Sequence, residues 1–235
     1  MNLGFDHILI ETTGIAEPDV IVQNIIANEE LKQYFFIDSI CCLIDTINFK
    51  LNLNERENIK QLTTADIVLI NKTETADNET IDRIIKKVKE YNPICETINT
   101  KYGDYGNSKI MDKHIFNETD FNGTFNKLQI NSEHHGHHHE IKTLSFLLKS
   151  KFDKKISMWM DYFSHINQNS IIRVKGILSF EGISRKMIFQ AVKSAYMLEE
   201  GNFWQTNEER SNKIVFIGRK LDKESIREGV ESLIY

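Results

Sequence analysis

The chain has 235 residues, 40% of them hydrophobic and 27% charged, which suits one large domain or two small ones around a packed core. A net charge of −5 and a pI of about 5.9 exclude a general binder of phosphate backbones, and no apolar run reaches membrane length, so neither nucleic acid nor membrane is an expected partner. No basic flank leads into an apolar stretch at the N-terminus, and three cysteines, two of them adjacent, do not make a secreted disulfide framework, so the expected location is cytoplasmic.

Residues 5–10 (FDHILI) are a short apolar run of the kind that forms a buried strand, and Glu11-Thr12-Thr13-Gly14 reads as the turn that ends it. Pro18 suits a first helical turn, and Val20, Ile21, Ile25 and Ile26 continue at helical spacing. A second apolar run, 35–44, predicts another buried strand, with Cys41 and Cys42 as small buried residues within it. A polar helix is expected over 55–64, a third strand over 66–70 (DIVLI), and a helix over 77–91 with Ile81, Ile84, Ile85 and Val88 on one face. Asn92-Pro93 ends that helix, and 94–98 is a weak fourth strand. Helices alternate with strands that are apolar throughout, the pattern of a parallel sheet covered on both faces, and such sheets bind ligands at the carboxyl ends of their strands.

Residues 99–140 lose this periodicity and read as a linker or loop. Beyond it come a strand over 142–151, a helix over 156–166 carrying Trp159, Met160 and Phe163, and a strand over 171–180. One or two strands over 187–199, a strand over 213–218 and a closing helix over 222–233 follow. The order is roughly β-α-β-β-β-α, an α+β layer with helices on one face, in which Trp159, Phe163 and Trp204 belong to the core.

Two motifs carry chemistry. In P-loop nucleotidases an acidic residue at a strand end holds magnesium, and a glycine shortly after it lets a backbone N–H approach the γ-phosphate; Glu11 and Gly14 have those types and that spacing. A bare E-x-x-G is a weak signal, since a plain strand-to-helix turn looks the same. The second motif, Asn71-Lys72-Thr73-Glu74, follows an apolar strand, where GTPases carry N-K-x-D: the asparagine fixes the O6/N7 side of guanine, the lysine stem lies over the base, and the acid accepts from N1 and N2. Glutamate in place of aspartate keeps the charge and adds a methylene, so it either still reaches the base or weakens guanine selectivity.

Five of the eight histidines fall within EHHGHHHE at 133–140. In an extended segment His135, His137 and His139 share one side; in a coiled one His134 and His138 are neighbours. Such a tract offers two or three nitrogens to a transition metal such as Zn2+, with Glu133 or Glu140 adding oxygen, without the four fixed ligands of a structural zinc site. A solvated polar loop is the competing reading.

Taken whole, E-T-T-G-x-A-x-P at 11–18 resembles the Walker B segment of the CobW family, whose members read E-[ST]-x-G-x-A-x-P there. The second half is similar too: SIIRVKGILSF with Arg173, Lys175 and Gly176, then WQTNEER, then NKIVFIGRKLD with Phe216-Ile217-Gly218-Arg219 resemble consecutive segments of the CobW C-terminal domain. The charges Arg173, Lys175 and Arg219 read equally well as surface residues. No G-x-x-x-x-G-K-[ST] occurs in the chain; in the family that loop, and a C-x-C-C metal motif that Cys41-Cys42 does not match, lie upstream of the E-T-T-G strand.

The resemblance implies an α/β fold: a partial P-loop NTPase sheet over 1–125, a His-rich linker over 126–140 and a small α+β CobW C-terminal domain over 141–235. It implies a complete protein that binds and hydrolyses GTP with Mg2+ as a zinc or cobalt metallochaperone, delivering metal to a client metalloenzyme. This 235-residue chain by itself is expected to be nearly inactive as a GTPase. Glu11 and Gly14 are then the catalytic candidates, Asn71, Lys72 and Glu74 the nucleotide-binding ones, and His134, His135, His137, His138 and His139 the metal ligands. The alternative is a non-catalytic metal-binding or partner-docking module.

Overall fold

In the computed structural model, residues 4–13, 17–49, 56–106, 110–111, 118–130, 141–152, 159, 163 and 170–234 are described. Among them no helix is long and apolar enough to cross a membrane. The first layer contains α1 (Pro18–Ala27), the single turn α2 (Glu29–Lys32), β1 (Cys41–Asp45), α3 (Arg56–Thr64), β2 (Ile67–Asn71), α4 (Asn78–Tyr91) and β3 (Glu96–Asn99). The three strands form a parallel sheet in the order β1-β2-β3. β2 is the central strand because its run of Ile67, Val68 and Ile70 is buried on both faces.

α4 starts where the Asp77 side chain accepts the Thr80 N–H at 2.8 Å and stops at Asn92 before Pro93. Its buried face is Ile81, Ile84, Val88 and Tyr91. The Asn92 amide nitrogen donates to the carbonyls of Leu62 and Ala65 at 2.7 and 2.8 Å, tying the end of α4 to that of α3.

The segment 5–10 is not a strand. Among the described residues it has no neighbouring strand, and Phe5, Ile8, Leu9 and Ile10 are 55–94% exposed. An apolar run becomes a buried strand only where a neighbour completes its hydrogen bonds. The second apolar run pairs only from Cys41, with Cys42 buried and Cys41 exposed rather than both inside.

The stretch read as irregular contains α5 (Glu118–Ile130), whose Phe121, Phe125 and Leu128 lie at helical spacing and are buried. The second layer is an antiparallel sheet ordered β4-β8-β5-β6-β7, with β4 Ile141–Leu148, β5 Ile171–Leu178, β6 Arg185–Val192, β7 Ala195–Phe203 and β8 Asn212–Arg219. Met187–Glu199 thus spans two strands, and α6 (Lys223–Glu231) follows, capped by Asp222 accepting the Ser225 N–H at 2.7 Å. Trp159 and Phe163 are helical and stack at 4.3 Å; the remainder of the expected 156–166 helix lies outside the described residues.

Helices cover both faces of this sheet rather than one. On one face Phe163, Ile226 and Val230 pack with Phe152, Leu178, Phe189 and Phe216. On the other α5 packs on Ile177, Ile188 and Val215, and Val22 and Ile26 of α1 pack on Val192. Ile141, Ile172 and Ile217 of this sheet share one core with Val68, Ile84 and Val88 of the parallel layer. In the F-I-G-R segment Gly218 is required by close approach: a Cβ there would sit 2.1 Å from the Ser170 carbonyl, which accepts the Arg219 N–H at 2.7 Å.

Candidate functional site

The carboxyl end of β2 carries Asn71, and parallel pairing sets it beside Asp45 at the end of β1. The Asn71 side-chain oxygen accepts the Thr100 hydroxyl and the Gly103 N–H, both at 3.0 Å. With that oxygen committed, the amide nitrogen is the half left to donate to a ligand.

Lys72 leaves the strand in the left-handed region, at φ 61°. This costs a non-glycine residue about 1–2 kcal/mol, which its surroundings must offset. The Lys72 carbonyl accepts from the hydroxyls of Thr46 (2.9 Å) and Thr75 (2.8 Å) and from the Thr75 N–H (3.0 Å). The Lys72 ammonium is 2.5 Å from an Asp45 carboxylate oxygen. This hydrogen-bonded ammonium, helped by the Ile47 N–H and the Asn48 amide, holds the Asp45 carboxyl below the ordinary carboxylate range against the opposing effect of its burial. Thr73 anchors the turn further: its hydroxyl donates to the Thr100 carbonyl at 2.9 Å.

Glu74 follows in a 3-10 turn over Thr73–Thr75. Its Oε2 is buried and has no hydrogen-bond partner among the described residues. A buried carboxylate oxygen without a donor is costly and rare in a native fold. Donors of the kind such an oxygen lacks are carried by the N1/N2 edge of a guanine, with which an acidic side chain at this position is chemically compatible.

The structure therefore brings Asn71, Lys72 and Glu74 together at one strand end. Glu11 lies on the exposed extended segment before α1, and no hydrogen bond or ion pair joins it to those three. Gly14 and His134, His135, His137, His138 and His139 lie outside the described residues. Among the described residues no group of three or more His, Cys, Asp or Glu side chains is placed to hold a metal ion.

Asp45, Thr46, Thr100 and Gly103 were missed by motif reading. The signal for Asp45 was present: Asp45-Thr46 ends an apolar run just as Asn71 does. Thr100 and Gly103 sit 29 and 32 positions from Asn71 and carry no local mark.

The site is tied to the antiparallel sheet at two places. At the opposite end of β2, Asp66 is buried beside Arg173 (2.5 Å) and Lys175 (2.6 Å) of β5 and accepts the Ile40 N–H at 3.1 Å. Arg173 and Lys175, which the sequence left open as surface charges, are 3% and 5% exposed. Burial acts to raise the Asp66 carboxyl, but the two cations overcome it and hold the group below the ordinary range. Burial in turn pushes the Lys175 ammonium down, with Asp66 pulling it partly back. The second tie is α1, which directly follows the E-T-T-G motif. Its buried Asp19 pairs with Lys193, in the turn between β6 and β7, and the preceding Glu17 pairs with Lys60 of α3.

Comparison with known proteins agrees with this two-layer arrangement. Residues 1–99 match the CobW/HypB/UreG nucleotide-binding domain and residues 141–234 the cobalamin synthesis protein cobW C-terminal domain. The chain is 25% identical over 231 residues to the zinc chaperone YjiA of Escherichia coli, covering 96% of this chain and 70% of that protein. It is 26% identical over 266 residues to zinc-regulated GTPase metalloprotein activator 1 of Saccharomyces cerevisiae, covering 95% of this chain and 61% of that one. The crystal structure of Zn(II)-bound YjiA GTPase from E. coli superposes with a TM-score of 0.69 at 21% identity, over 94% of this chain and 69% of that chain, a likeness of fold.

Proposed function

Because the chain belongs to the CobW family, with that family's nucleotide-binding domain followed by its C-terminal domain, we propose that it serves a cytoplasmic, GTP-switched metallochaperone that passes zinc to a client metalloenzyme. The observation that carries this reading is the buried, unpartnered Glu74 oxygen beside an anchored Asn71 at the carboxyl end of a parallel strand. Relatives whose names combine a zinc role with a GTPase favour it over a non-catalytic docking module.

In this reading Asn71 donates to the O6/N7 side of guanine, Glu74 accepts from N1 and N2, and the Lys72 stem, steadied by Asp45, lies along the base. Glu11 organises Mg2+, and Gly14 gives a backbone N–H access to the γ-phosphate. Bound GTP supplies the phosphate whose loss releases such a loop. Zinc is cargo, and His134, His135, His137, His138 and His139 are the ligands proposed to carry it. The ties from α1 and β2 to the antiparallel sheet are the physical route by which the nucleotide state reaches the second domain.

Calorimetric titration with zinc, in the absence and then in the saturating presence of GTP, tests the linkage. The zinc affinity should change by about fivefold or more, the lower end of ordinary site-to-site coupling. Superimposable isotherms would overturn the proposal.

A further inference from the structure

Beyond β3 the chain makes a two-residue hairpin turn. Lys101 and Asp104 pair through both backbone hydrogen bonds, at 2.8 and 3.2 Å, and the two residues between them, Tyr102 and Gly103, have φ of 51° and 79°. This is the positive-φ pair of a type I′ turn, whose first position ordinarily takes asparagine, aspartate or glycine. A tyrosine there is strained, since a bulky side chain is poorly accommodated in the left-handed region. Tyr102 is also 87% exposed, so its ring gains almost nothing from burial.

The turn is fixed against the base-recognition site. The Gly103 N–H donates to the Asn71 side-chain oxygen at 3.0 Å, and covalent geometry then keeps the Tyr102 Cα within about 6 Å of that oxygen. A tyrosine ring reaches that far from its own Cα. Asn71 and Glu74 grip a guanine by its edge, which leaves the flat apolar faces of the base in water. Lys72, held to Asp45, has a stem for one face only. A strained, exposed aromatic on a rigid turn beside Asn71 supplies the other.

We propose that Tyr102 is a base-stacking residue whose ring closes over the guanine that Asn71 and Glu74 hold. The inference rests on the guanine reading of this site. It explains why a turn position suited to asparagine carries an aromatic side chain: contact with the base offsets both the strain and the exposure.

The test measures GDP affinity of the full 235-residue chain and of Tyr102→Asn, Tyr102→Phe, Tyr102→Trp and Glu74→Gln. Asparagine suits the turn, so Tyr102→Asn should fold at least as stably as wild type yet bind GDP about tenfold more weakly, the scale of losing one stacked base. Tyr102→Phe should bind as wild type does. GDP, and not pyrophosphate, should change the indole fluorescence of Tyr102→Trp. Wild-type binding that Glu74→Gln abolishes but Tyr102→Asn leaves within twofold would overturn the stacking alone. No wild-type binding, or binding indifferent to Glu74→Gln, would overturn the guanine site and this inference with it.

Discussion

Arg173 and Asp66, 107 positions apart in the chain, meet at 2.5 Å with neither side chain more than 4% exposed. Lys175 reaches the same carboxylate oxygen, so one buried anion serves two buried cations across the junction of the two sheets. Asp66 immediately precedes β2, whose other end is Asn71, so the strand that presents the asparagine proposed for base recognition is anchored at its start to the antiparallel sheet.

Removing the shared anion should be severe. Asp66→Ala removes the anion that two buried cations share, and breaking such a pair typically costs about 3–5 kcal/mol. For a chain of this size that corresponds to a fall in Tm of about 6–20 °C. Replacing all three residues together, as Asp66→Leu, Arg173→Met and Lys175→Met, should restore most of the loss, because an apolar trio has no desolvation cost to recover. Urea and thermal melts of the single and triple variants check both outcomes.

The same cluster sets a pH dependence with two limbs. Asp66 has a folded value held below its unfolded one, near 3.9. Its contribution is therefore complete above that unfolded value and is lost as pH falls through the lower folded one, because the unfolded chain takes the proton first. Lys175 is also pushed down, so between its folded value and the unfolded one, near 10.4, the unfolded chain holds more protons and stability rises with pH. Wild-type Tm should drop steeply below about pH 4; on the alkaline side Lys175 contributes a gain that works against the loss from the buried thiols of Cys42 and Cys95. Lys175→Met should lack the alkaline gain, which Tm measured across pH will show.

Thiol reactivity should divide three cysteines one to two. Burial pushes the Cys42 thiol up to about 12 and the Cys95 thiol up to about 11, while Cys41 is exposed. The thiolate is the reactive form. A chromogenic disulfide at pH 8 should titrate Cys41 in the native protein and the other two only after denaturant is added. Rapid modification of all three in the native state would contradict the burial of Cys42 and Cys95.

The readable parts of this fold were those whose pattern is local. β2 announced itself because both its faces are covered, and α4 because Ile81, Ile84 and Val88 repeat at helical spacing between an Asp77 cap and Pro93. The Asn71–Glu74 motif was legible for the same reason, its residues being consecutive. α5 carried a faint version of the signal in Phe121, Phe125 and Leu128, diluted by Gly123 and by asparagine and threonine. Residues 5–10 were misread because an apolar run states only a preference for burial, and the neighbour that would bury it must come from elsewhere. Arg173 and Lys175 were open to misreading for the converse reason: alternate positions on a strand share a face, but nothing in the strand names Asp66 as what covers that face. Thr100 and Gly103, which fix the Asn71 side chain, likewise arrive through tertiary contact alone.

The guanine site proposed at the end of β2 is tested most directly by titrating the purified chain with guanosine and with adenosine, so that the base alone is weighed. A site that meets the guanine edge with Glu74 leaves that buried oxygen unpaired when adenine is offered, and such sites discriminate strongly. Guanosine should bind at least about 100-fold more tightly than adenosine, with Glu74→Gln erasing the difference. Equal affinities for the two nucleosides in the wild-type chain would contradict the assignment of Asn71, Lys72 and Glu74 to base recognition.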